Sequence, residues 1–355
     1  MYYNYGKRFI LFGTLYMANK KITIYEVAEK AGVSISTVSK VLSNKNGVSA
    51  STRQRVWDAA HELGFVPSLA ARSLSGGKTG IIGLLVPYSP EQLFTDPHLL
   101  GNIHGIEQAL NEHNYNLLLA TAQKVHDPVS SYKRLFRANY FDGVIVMETQ
   151  ESQQYELHRR LAEEGIPWVI LGYPAGITPC YSVYADDYQG GQIVAEYLLS
   201  LGHKRIGIVS ADPRPSAFDE RLRGFEQIIK NNGIELAELP IVWGDMTRQS
   251  GYQIAPKLMA SQLTAVFALN DRMALGILDW AVDHGVDIPG DLSIVGFDDI
   301  PEAIIQKLTT IRQPAIEMGS EAVKLLFRLL AEENVPSRIV TPVILIERQT
   351  ARKIS

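Results

Sequence analysis

The sequence predicts an α/β protein with a small N-terminal helical domain and a large body of two lobes, each built on a doubly wound parallel sheet. Residues 23–42 hold two short helical patterns separated by a glycine turn. From residue 79 onward, apolar strands alternate with helical patterns, which is the order of a doubly wound sheet. Basic residues cluster between positions 20 and 78, although the whole chain has a net charge of -4.

The composition indicates more than one domain. With 355 residues, of which 46% are hydrophobic, the chain can bury a large core and should hold two or three domains. No apolar run approaches the roughly 18 residues that a membrane span needs, so we expect no membrane partner. Cys180 is the only cysteine, which excludes an intrachain disulfide and fits a reducing, cytoplasmic compartment.

Residues 1–20 are expected to be an N-terminal extension. The stretch from Phe9 to Met17 is apolar but lacks a small-residue cleavage site, and the segment before it is not the short basic opening of a secretory signal. We therefore interpret Met17 as the natural start, a hypothesis that mass spectrometry of the native N-terminus would test.

The first two helical patterns have the features of a helix-turn-helix. Thr23 followed by Glu26 forms a capping box at the start of the first helix. Gly32 permits a left-handed backbone at the turn, and Ser34 can cap the second helix. The small side chain of Ala28 lets the two helices cross closely. The apolar residues expected to form the inner seam are Val27, Ala31, Val38 and Leu42.

A third helix follows, and the whole segment carries an excess of positive charge. The helix is expected to start at Ser49 or Ser51 and to end near Leu63. Between residues 20 and 78 there are nine basic and four acidic side chains, an excess of five. A basic domain on an acidic chain is expected when that domain binds phosphates, and the binding should weaken as salt rises.

Residues 67–78 connect this domain to the body. Gly76 and Gly77 make a flexible tether, and the simplest interpretation is that the whole segment is one. Residues 68–75 nevertheless combine good helix formers with the apolar pair Leu69 and Leu74. We therefore predict a short hinge helix.

From residue 79 the pattern is that of buried parallel strands. Residues 81–87 form a continuous apolar run bounded by turn residues, which is typical of a central parallel strand. A second series of strands and helices begins after residues 182–191. Two consecutive sheets predict two lobes with a cleft between them, and ligands in such folds lie beyond the carboxyl ends of the strands. The predicted strands are 81–87, 115–120, 143–147, 167–171, 205–210, 241–243, 265–268 and 293–297, and a helix is expected at 129–138.

Residues 23–42, TIYEVAEKAGVSISTVSKVL, resemble the headpiece of the lactose-repressor and galactose-repressor (LacI/GalR) family of bacterial transcription regulators. The body resembles the effector domain of that family, which is itself similar to periplasmic sugar-binding proteins. Its landmarks are GHKRIGIVS at 202–210, ERLRGF at 220–225, ALNDRMALG at 268–276, DLSIVGFDD at 291–299 and LTTIRQP at 308–314. With the hinge, the resemblance covers the chain from about residue 21 to its end.

The resemblance implies a domain organisation with three crossings between the lobes, near residues 182, 312 and 337. The expected parts are the headpiece at 21–67, the hinge helix and linker at 68–78, and the periplasmic-binding-protein-like effector domain at 79–355. Within the effector domain, lobe 1 would hold about 79–182 and 313–336, and lobe 2 about 183–312 and 337–355.

The second helix of the headpiece would then be the recognition helix. The residues expected at DNA are Thr23, Ser34, Ile35, Ser36, Ser39, Lys40, Ala71 and Leu74. Leu74, in the hinge helix, would push between base steps in the minor groove. Ile35 and Ser36 are poorer base readers than long amide or guanidinium side chains, so Lys40, Leu74 and DNA deformability should carry more of the operator preference. The alternative is an ordinary helical hairpin with solvated polar residues.

The candidate ligand contacts are side chains at strand ends that face the cleft. By resemblance, Arg221, Asn270, Asp298 and Gln313 would project there, and their donors and acceptors suit a polyhydroxylated small molecule. Aromatic rings that follow first-lobe strands would stack on sugar rings, and one carboxylate could add a first-lobe contact. These further candidates are Tyr88, Phe94, Tyr173 and Glu151. In the turn at Asp186 and Asp187, Asp187 occupies a position where the family usually has asparagine.

The sequence argues against two other classes of protein. An enzyme would be expected to show a GxSxG elbow, an HExxH motif, a phosphate-binding loop or a CxxC pair, and none occurs in the sequence. A free solute-binding transport receptor would need an export signal and would have no use for a basic DNA-reading headpiece.

The sequence therefore predicts a dimeric repressor, without cofactor, that binds double-stranded operator DNA and answers to a small effector, a sugar or sugar derivative. A nucleobase corepressor or a partner protein remains the alternative effector. The resemblance leaves open whether the ligand induces or corepresses.

Overall fold

The computed structural model describes residues 22–42, 46–65, 78–121, 132, 135–136, 140–147, 151–174, 180–212 and 214–354. The chain forms two compact units that divide between residues 79 and 80. The N-terminal extension, the hinge positions Ala71 and Leu74 and most of the helix expected at 129–138 lie outside the described residues.

The N-terminal unit consists of three short helices, α1 (Ile24–Ala31), α2 (Ile35–Leu42) and α3 (Ala50–Leu63). Val41 is fully buried, whereas Leu42, which the sequence places in the inner seam, is only half-buried. Residues three apart share a helix face, so Val41 joins Val38 against the core and Leu42 turns away. The buried core is Val27, Ala28, Ala31, Val38, Val41, Val56, Ala59 and Ala60.

The first lobe of the body is a parallel sheet of six strands. Its elements in chain order are β1 (Ile81–Val86), α4 (Pro90–Phe94), α5 (Pro97–Glu112), β2 (Asn116–Thr121), β3 (Gly143–Met147), α6 (Glu151–Glu163), β4 (Trp168–Leu171) and β5 (Ser182–Ala185), joined later by α12 (Ala315–Leu330) and β11 (Arg338–Thr341). The strand order is β11-β5-β4-β3-β1-β2. Leu84 and Leu85 of β1 pack into different cores, so both faces of the sheet are covered, which explains the continuous apolar run.

The second lobe is a parallel sheet of four strands in the order β7-β6-β8-β9. Its elements are α7 (Asp187–Ser200), β6 (Ile206–Ala211), α8 (Ser216–Asn231), a short 3-10 helix (Leu236–Glu238), β7 (Ile241–Gly244), α9 (Arg248–Met259), β8 (Ala265–Ala268), α10 (Asp271–His284), β9 (Ser293–Val295) and α11 (Pro301–Ile305). Strands β10 (Thr310–Arg312) and β12 (Ile344–Ile346) form a small antiparallel pair beside it.

The crossings between the lobes differ by a few residues from those expected. The sequence assigns residues from 183 and from 337 to the second lobe, but β5 and β11 pair in parallel within the first sheet. The backbone N of Asp186 also donates to the carbonyl of Thr341 at 2.9 Å. Those two assignments are wrong because both stretches complete the edge of the first sheet, and the chain crosses after residues 185 and 341.

Two helices of the second lobe approach each other closely at glycines. A Cβ on Gly191 of α7 would lie 1.9 Å from the carbonyl oxygen of Arg221, and a Cβ on Gly224 of α8 would lie 1.9 Å from that of Tyr188. No side chain fits at either position. The missing side chains let α7 and α8 touch through their backbones, which places Arg221 beside the start of α7.

Candidate functional site

The turn between α1 and α2 has the geometry that the sequence predicts. The Glu26 carboxylate accepts a hydrogen bond from the backbone N of Thr23 at 2.7 Å, and Gly32 has a φ of 64°, in the left-handed region. Ser34 Oγ accepts from the backbone N of Thr37 at 3.2 Å. The predicted cap, turn and second cap are therefore confirmed, and they set the angle at which α2 leaves α1.

The outer face of α2 is open to solvent. Ile35 is 41% exposed, Ser36 and Lys40 are also exposed, and Ser39 is half-buried. Ser34 Oγ lies 2.8 Å from the hydroxyl of Ser36. These side chains lie at the start and along the outside of the helix, and all of them except Ile35 are polar.

An exposed aromatic residue lies at the start of α1. Tyr25, beside exposed Thr23 in the first turn of α1, is 68% exposed. Sequence reasoning did not single out Tyr25. The structure shows that its side chain points outward, whereas Val27 of the same helix is fully buried.

The body contains a cavity of about 480 Å³ at the carboxyl ends of strands from both sheets. Tyr88 follows β1, Ala185 ends β5, Asp245 follows β7 and Asn270 follows β8, and all four line it. This is where ligands bind in open α/β sheets. The cavity lies within the body, between its two lobes.

The structure brings together five of the eight ligand candidates, leaves two apart and does not describe the side chain of the eighth. Those that line the cavity are Tyr88, Arg221, Asn270, Asp298 and Gln313. Phe94 is 58% exposed, because α4 turns Leu93 into the core and Phe94 towards solvent. Tyr173 does not line the cavity but packs edge-on against Tyr184, which does, with ring centroids 5.2 Å apart. Glu151 begins α6, and its side chain lies outside what the structure describes.

Arg221 holds a buried network of charge at the cavity wall. Its Nε donates to Oδ1 of Asp187 at 2.8 Å, and its Nη1 lies 3.5 Å from Oδ1 of Asp298. The guanidinium also lies over the Phe297 ring, 3.7 Å from the centroid. Gln313 Nε2 donates to Oδ1 of Asp298 at 2.6 Å. Buried charges need partners of this kind, since an unpaired one is costly.

The Asp298 backbone is strained and fixed at a crossing between the lobes. Its φ is 123°, in the region that favours glycine, and its backbone N donates to the carbonyl of Ile311 at 2.7 Å. Strain of this kind persists only where neighbouring contacts hold it, and such positions cluster at binding sites. The hydrogen bond ties the Asp298 carboxylate to the segment that carries Gln313 back towards the first lobe.

Burial raises the pKa of the acidic groups in this network. Desolvation raises the pKa of Asp187 and of Asp298, and the nearby Arg221 opposes both shifts. Burial, with the Asp298 charge added to it, raises the pKa of Asp271 well above its usual value. The site therefore disfavours further negative charge.

Asp271 and Asn270 support the site from the start of α10. Asp271 is fully buried, and its two carboxylate oxygens accept from the Thr310 hydroxyl at 2.5 Å and from the backbone N of Ile300 at 3.0 Å. Asn270 caps α10: its Oδ1 accepts from the backbone N of Met273 at 3.0 Å, and its amide donates to the carbonyl of Met246 at 3.0 Å. The amide of Asn270 thus already has protein partners, so a ligand would share them.

Several cavity residues escaped the sequence reasoning. Asp187 appeared only as a departure from a family pattern, yet it is the closest carboxylate partner of Arg221. Asp96 and Arg272 line the cavity as an ion pair with 3.3 Å between nitrogen and oxygen. Asp96 before Pro97 is a recognisable helix start, which could have located α5, but no local signal shows what faces it. The other lining residues not foreseen include His98, Asn102, Tyr184 and Phe218.

Comparisons with known proteins agree with this architecture. The family described as "Bacterial regulatory proteins, lacI family" matches residues 23–68, and "Periplasmic binding protein-like domain" matches residues 195–351. The HTH-type transcriptional regulator DegA of Bacillus subtilis is 31% identical over 340 residues, which covers 94% of this chain and 99% of DegA.

Two solved structures are similar over most of their length. A complex of the transcriptional regulator CelR with cellobiose has a TM-score of 0.71 at 30% identity and covers 93% of this chain and 100% of its own. The lac repressor dimer bound to operator and the anti-inducer ONPF has a TM-score of 0.78 at 26% identity and covers 94% and 100%.

A helix-turn-helix unit followed by a two-lobed domain with a cavity between its lobes defines a DNA-binding transcriptional regulator with a ligand-binding domain. The chain belongs to the LacI family of bacterial regulatory proteins. Its relatives are transcriptional regulators rather than enzymes. None of the helices in the described part of the chain is long and apolar enough to cross a membrane.

Proposed function

We propose that this regulator is a repressor whose affinity for operator DNA is controlled by an uncharged, polyhydroxylated ligand, a sugar or sugar derivative, bound in the cavity between the lobes. The Arg221–Asp187–Asp298 network is the observation that carries the proposal. It offers paired donors and acceptors, already fixed in place, to a ligand that carries hydroxyl groups.

The charges around the cavity favour an uncharged ligand over a phosphorylated one. Arg221 binds Asp187, Arg248 binds Asp279 with two contacts of 2.6 Å, and Arg272 binds Asp96. No lysine is among the described residues that line the cavity. A phosphate would have to break one of these ion pairs to obtain a counter-charge, whereas hydroxyls can share hydrogen bonds with the existing groups.

Aromatic and apolar side chains complete the fit to a sugar. Tyr88 and Tyr184 line the cavity from the first lobe, and Phe218 lines it from the second. Aromatic rings present flat apolar faces to the carbon-bound hydrogens of a sugar ring, while the polar groups fix its orientation. The similarity to a regulator solved with cellobiose supports the same class of ligand.

The headpiece is proposed to read the operator through α2. Ile35, Ser36 and Lys40 would contact base edges in the major groove, and Thr23, Ser34 and Ser39 would contact phosphates. A single headpiece of this size covers too little DNA for tight specific binding, so we propose a homodimer that binds two half-sites. The similarity to a repressor dimer bound to its operator supports this arrangement. Bacterial operator DNA is cytoplasmic, and so, we infer, is the regulator.

Ligand and operator are proposed to be coupled through closure of the lobes. A ligand that contacts both lobes favours one degree of closure, which would change the spacing of paired first lobes and the ability of the hinge segment at 68–78 to order on DNA. Leu74 would act as the wedge in the minor groove. The coupling is expected to be roughly 1–3 kcal/mol and equal in both directions.

A ligand screen tests the proposal. The full-length protein is heated with neutral sugars, sugar phosphates and nucleobases, since a bound ligand raises the melting temperature by mass action. A neutral sugar is expected to stabilise the wild type and the Arg328→Gln control, whose exposed ion pair with Glu333 lies away from the cavity, but not the Arg221→Gln variant. Stabilisation by sugar phosphates or nucleobases alone would contradict the proposed ligand class.

A further inference from the structure

Arg272 and Asp96 join the two lobes at the cavity. Nη1 of Arg272 lies 3.3 Å from Oδ2 of Asp96, and both residues line the cavity. Asp96 belongs to the first lobe and Arg272 to the second. Their side chains are 23% and 18% exposed, so salt and solvent screen the pair less than a fully exposed one.

The Asp96 carboxylate is held in position by its own helix. Asp96 is the N-cap of α5, and its Oδ1 accepts from the backbone N of His98 at 3.0 Å and of Leu99 at 3.3 Å. The cap uses one oxygen and leaves Oδ2 for Arg272. Because the cap fixes the carboxylate, Asp96 cannot follow Arg272 if the second lobe moves away.

Arg272 is anchored equally firmly in the second lobe. It is the second residue of α10, directly after Asp271, whose carboxylate is bonded to Thr310 and Ile300. The ion pair therefore joins the starts of two helices, each fixed in a different lobe. A contact of 3.3 Å between two fixed points breaks when the lobes separate by a few ångströms.

The other arginines at the cavity do not connect the lobes in this way. Arg221 with Asp187, and Arg248 with Asp279, are pairs whose members both belong to the second lobe. Among the ion pairs of the described residues, the pair of Arg272 and Asp96 is the one that reaches across the cavity. Its energy is therefore gained only in the closed arrangement.

We propose that Arg272 and Asp96 are positioning residues that form an interlobe latch, which stabilises the closed body and so sets how readily the cavity retains its ligand. The inference rests on the proposed function of the cavity and adds the contact that regulates it. A ligand that needs both lobes binds more weakly when the closed state is less populated. Loss of the latch should therefore widen the lobe spacing and weaken ligand binding.

Distance measurements between the lobes test the latch in the full-length, ligand-free protein. Spin labels are attached to cysteines in a Cys180→Ser background, one in each lobe. The labelled chains are mixed with an excess of unlabelled chains, so that double electron–electron resonance reports the separation within one chain. The labelled sites are the exposed positions of Gln108→Cys in α5 and Lys257→Cys in α9. Wild type is compared with Arg272→Gln, with Asp96→Asn and with the double variant. Asparagine is as good an N-cap as aspartate, so Asp96→Asn removes the charge and keeps the start of α5.

Each single variant is expected to shift the distribution to longer distances, and the double variant no further than either. Salt at roughly 1 M, where the screening length is about 3 Å, should lengthen the wild-type distances but not those of Arg272→Gln. The Arg328→Gln control, whose ion pair with Glu333 lies within the first lobe, should behave as wild type. With a ligand found in the screen, Arg272→Gln should raise Kd about fivefold or more.

Unchanged distances in both single variants would overturn the latch. So would a loss of ligand affinity in Arg272→Gln without any change in lobe spacing, since Arg272 would then act as a direct ligand contact. The distance measurement uses neither ligand nor DNA, so its failure can be told apart from failure of the proposed sugar-responsive function. A circular dichroism spectrum matching the wild type confirms that each variant is folded.

Discussion

Nε of Arg221 donates to Oδ1 of Asp187 at 2.8 Å, although the two residues are 34 positions apart in the chain. The bond joins α8 to the first residue of α7 at the wall of the cavity. Asp187 is 4% exposed and so is Arg221, so neither charge has water as an alternative partner. The pair therefore serves the fold of the second lobe and also forms a charged part of the cavity wall.

Arg221→Gln should destabilise the body by about 3–5 kcal/mol at neutral pH, because it leaves the buried carboxylates of Asp187 and Asp298 without their cation. Their pKa values, already raised by burial, should rise further. When the pKa of a carboxyl group is higher in the folded state than in the unfolded state, lowering the pH favours folding. The stability difference between Arg221→Gln and wild type should therefore shrink as pH falls towards about 4. Urea unfolding at several pH values measures this.

The control is Arg223→Gln, a position 63% exposed on the same helix, which should change stability by less than about 0.5 kcal/mol. Equal losses in the two variants, or an Arg221→Gln deficit independent of pH, would show that the buried charges are not the cause.

Gly191→Ala should loosen the contact between α7 and α8. The added methyl group would lie 1.9 Å from the carbonyl oxygen of Arg221, so the helices must separate, at a cost of about 1–3 kcal/mol or more. The displaced helix carries Asp187, and ligand affinity should fall with stability. Thermal unfolding with and without ligand measures both effects. Glu196→Ala, at an exposed site on the same helix, is the control, and a Gly191→Ala variant as stable as it would refute the close approach.

His158 should make the first lobe sensitive to acid. It is 4% exposed, stacks on Trp168 with ring centroids 5.9 Å apart, and burial lowers its pKa to about 4. The pKa of His158 is thus lower in the folded state than the value of about 6.5 in the unfolded state. The stability contributed by the neutral ring is fully present above pH 6.5 and is lost as pH falls towards 4, a change of about 3 kcal/mol in the free energy of unfolding.

The His158→Leu variant removes this titration. The difference in unfolding free energy between wild type and variant, followed by tryptophan fluorescence in urea, should therefore change between pH 6.5 and 4. A constant difference across that range would mean that His158 does not titrate there.

Lys40→Ala should weaken operator binding by about 1–3 kcal/mol and reduce discrimination among operator variants, since a side chain at base edges carries sequence preference. Ile35→Ala and Ser36→Ala should keep most of that preference, because an apolar contact and one small hydroxyl read bases poorly. Fluorescence anisotropy with a series of operator duplexes measures all three, with Lys204→Ala in the second lobe as the control. A complete loss of preference in Ile35→Ala or Ser36→Ala would contradict this division.

The sequence predicted the main elements well where hydrophobic patterning was strong. The strand at Gly143–Met147 and the third helix, Ala50–Leu63, occur as expected, because a continuous apolar run and a 3.6-residue period are local signals. The edge strand Arg338–Thr341 was missed, since it is short, half exposed and defined only by its parallel partner. Patterning thus predicts buried elements better than edges.

The cavity was predicted in part for a similar reason. Arg221 and Asp298 lie in stretches that resemble a family, so their position could be inferred, and both line the cavity. The pairing of Arg272 with Asp96, 176 positions away, has no local signature and depends on how two lobes meet. Phe94 was expected to line the cavity but does not. The sequence did not indicate the short helix α4, which turns the Phe94 side chain towards solvent.

The central claim is that the cavity ligand controls operator binding. The most direct test measures the effect of the ligand on operator affinity and the effect of the operator on ligand affinity. Operator duplex is selected from random sequences with the full-length protein, and its Kd is measured by fluorescence anisotropy with and without a sugar found in the ligand screen. The Kd of the sugar is then measured with and without operator. We predict that the sugar and the operator each change the affinity for the other by the same factor, between about 5-fold and 150-fold. A sugar that binds the body yet leaves the operator Kd unchanged would contradict the account.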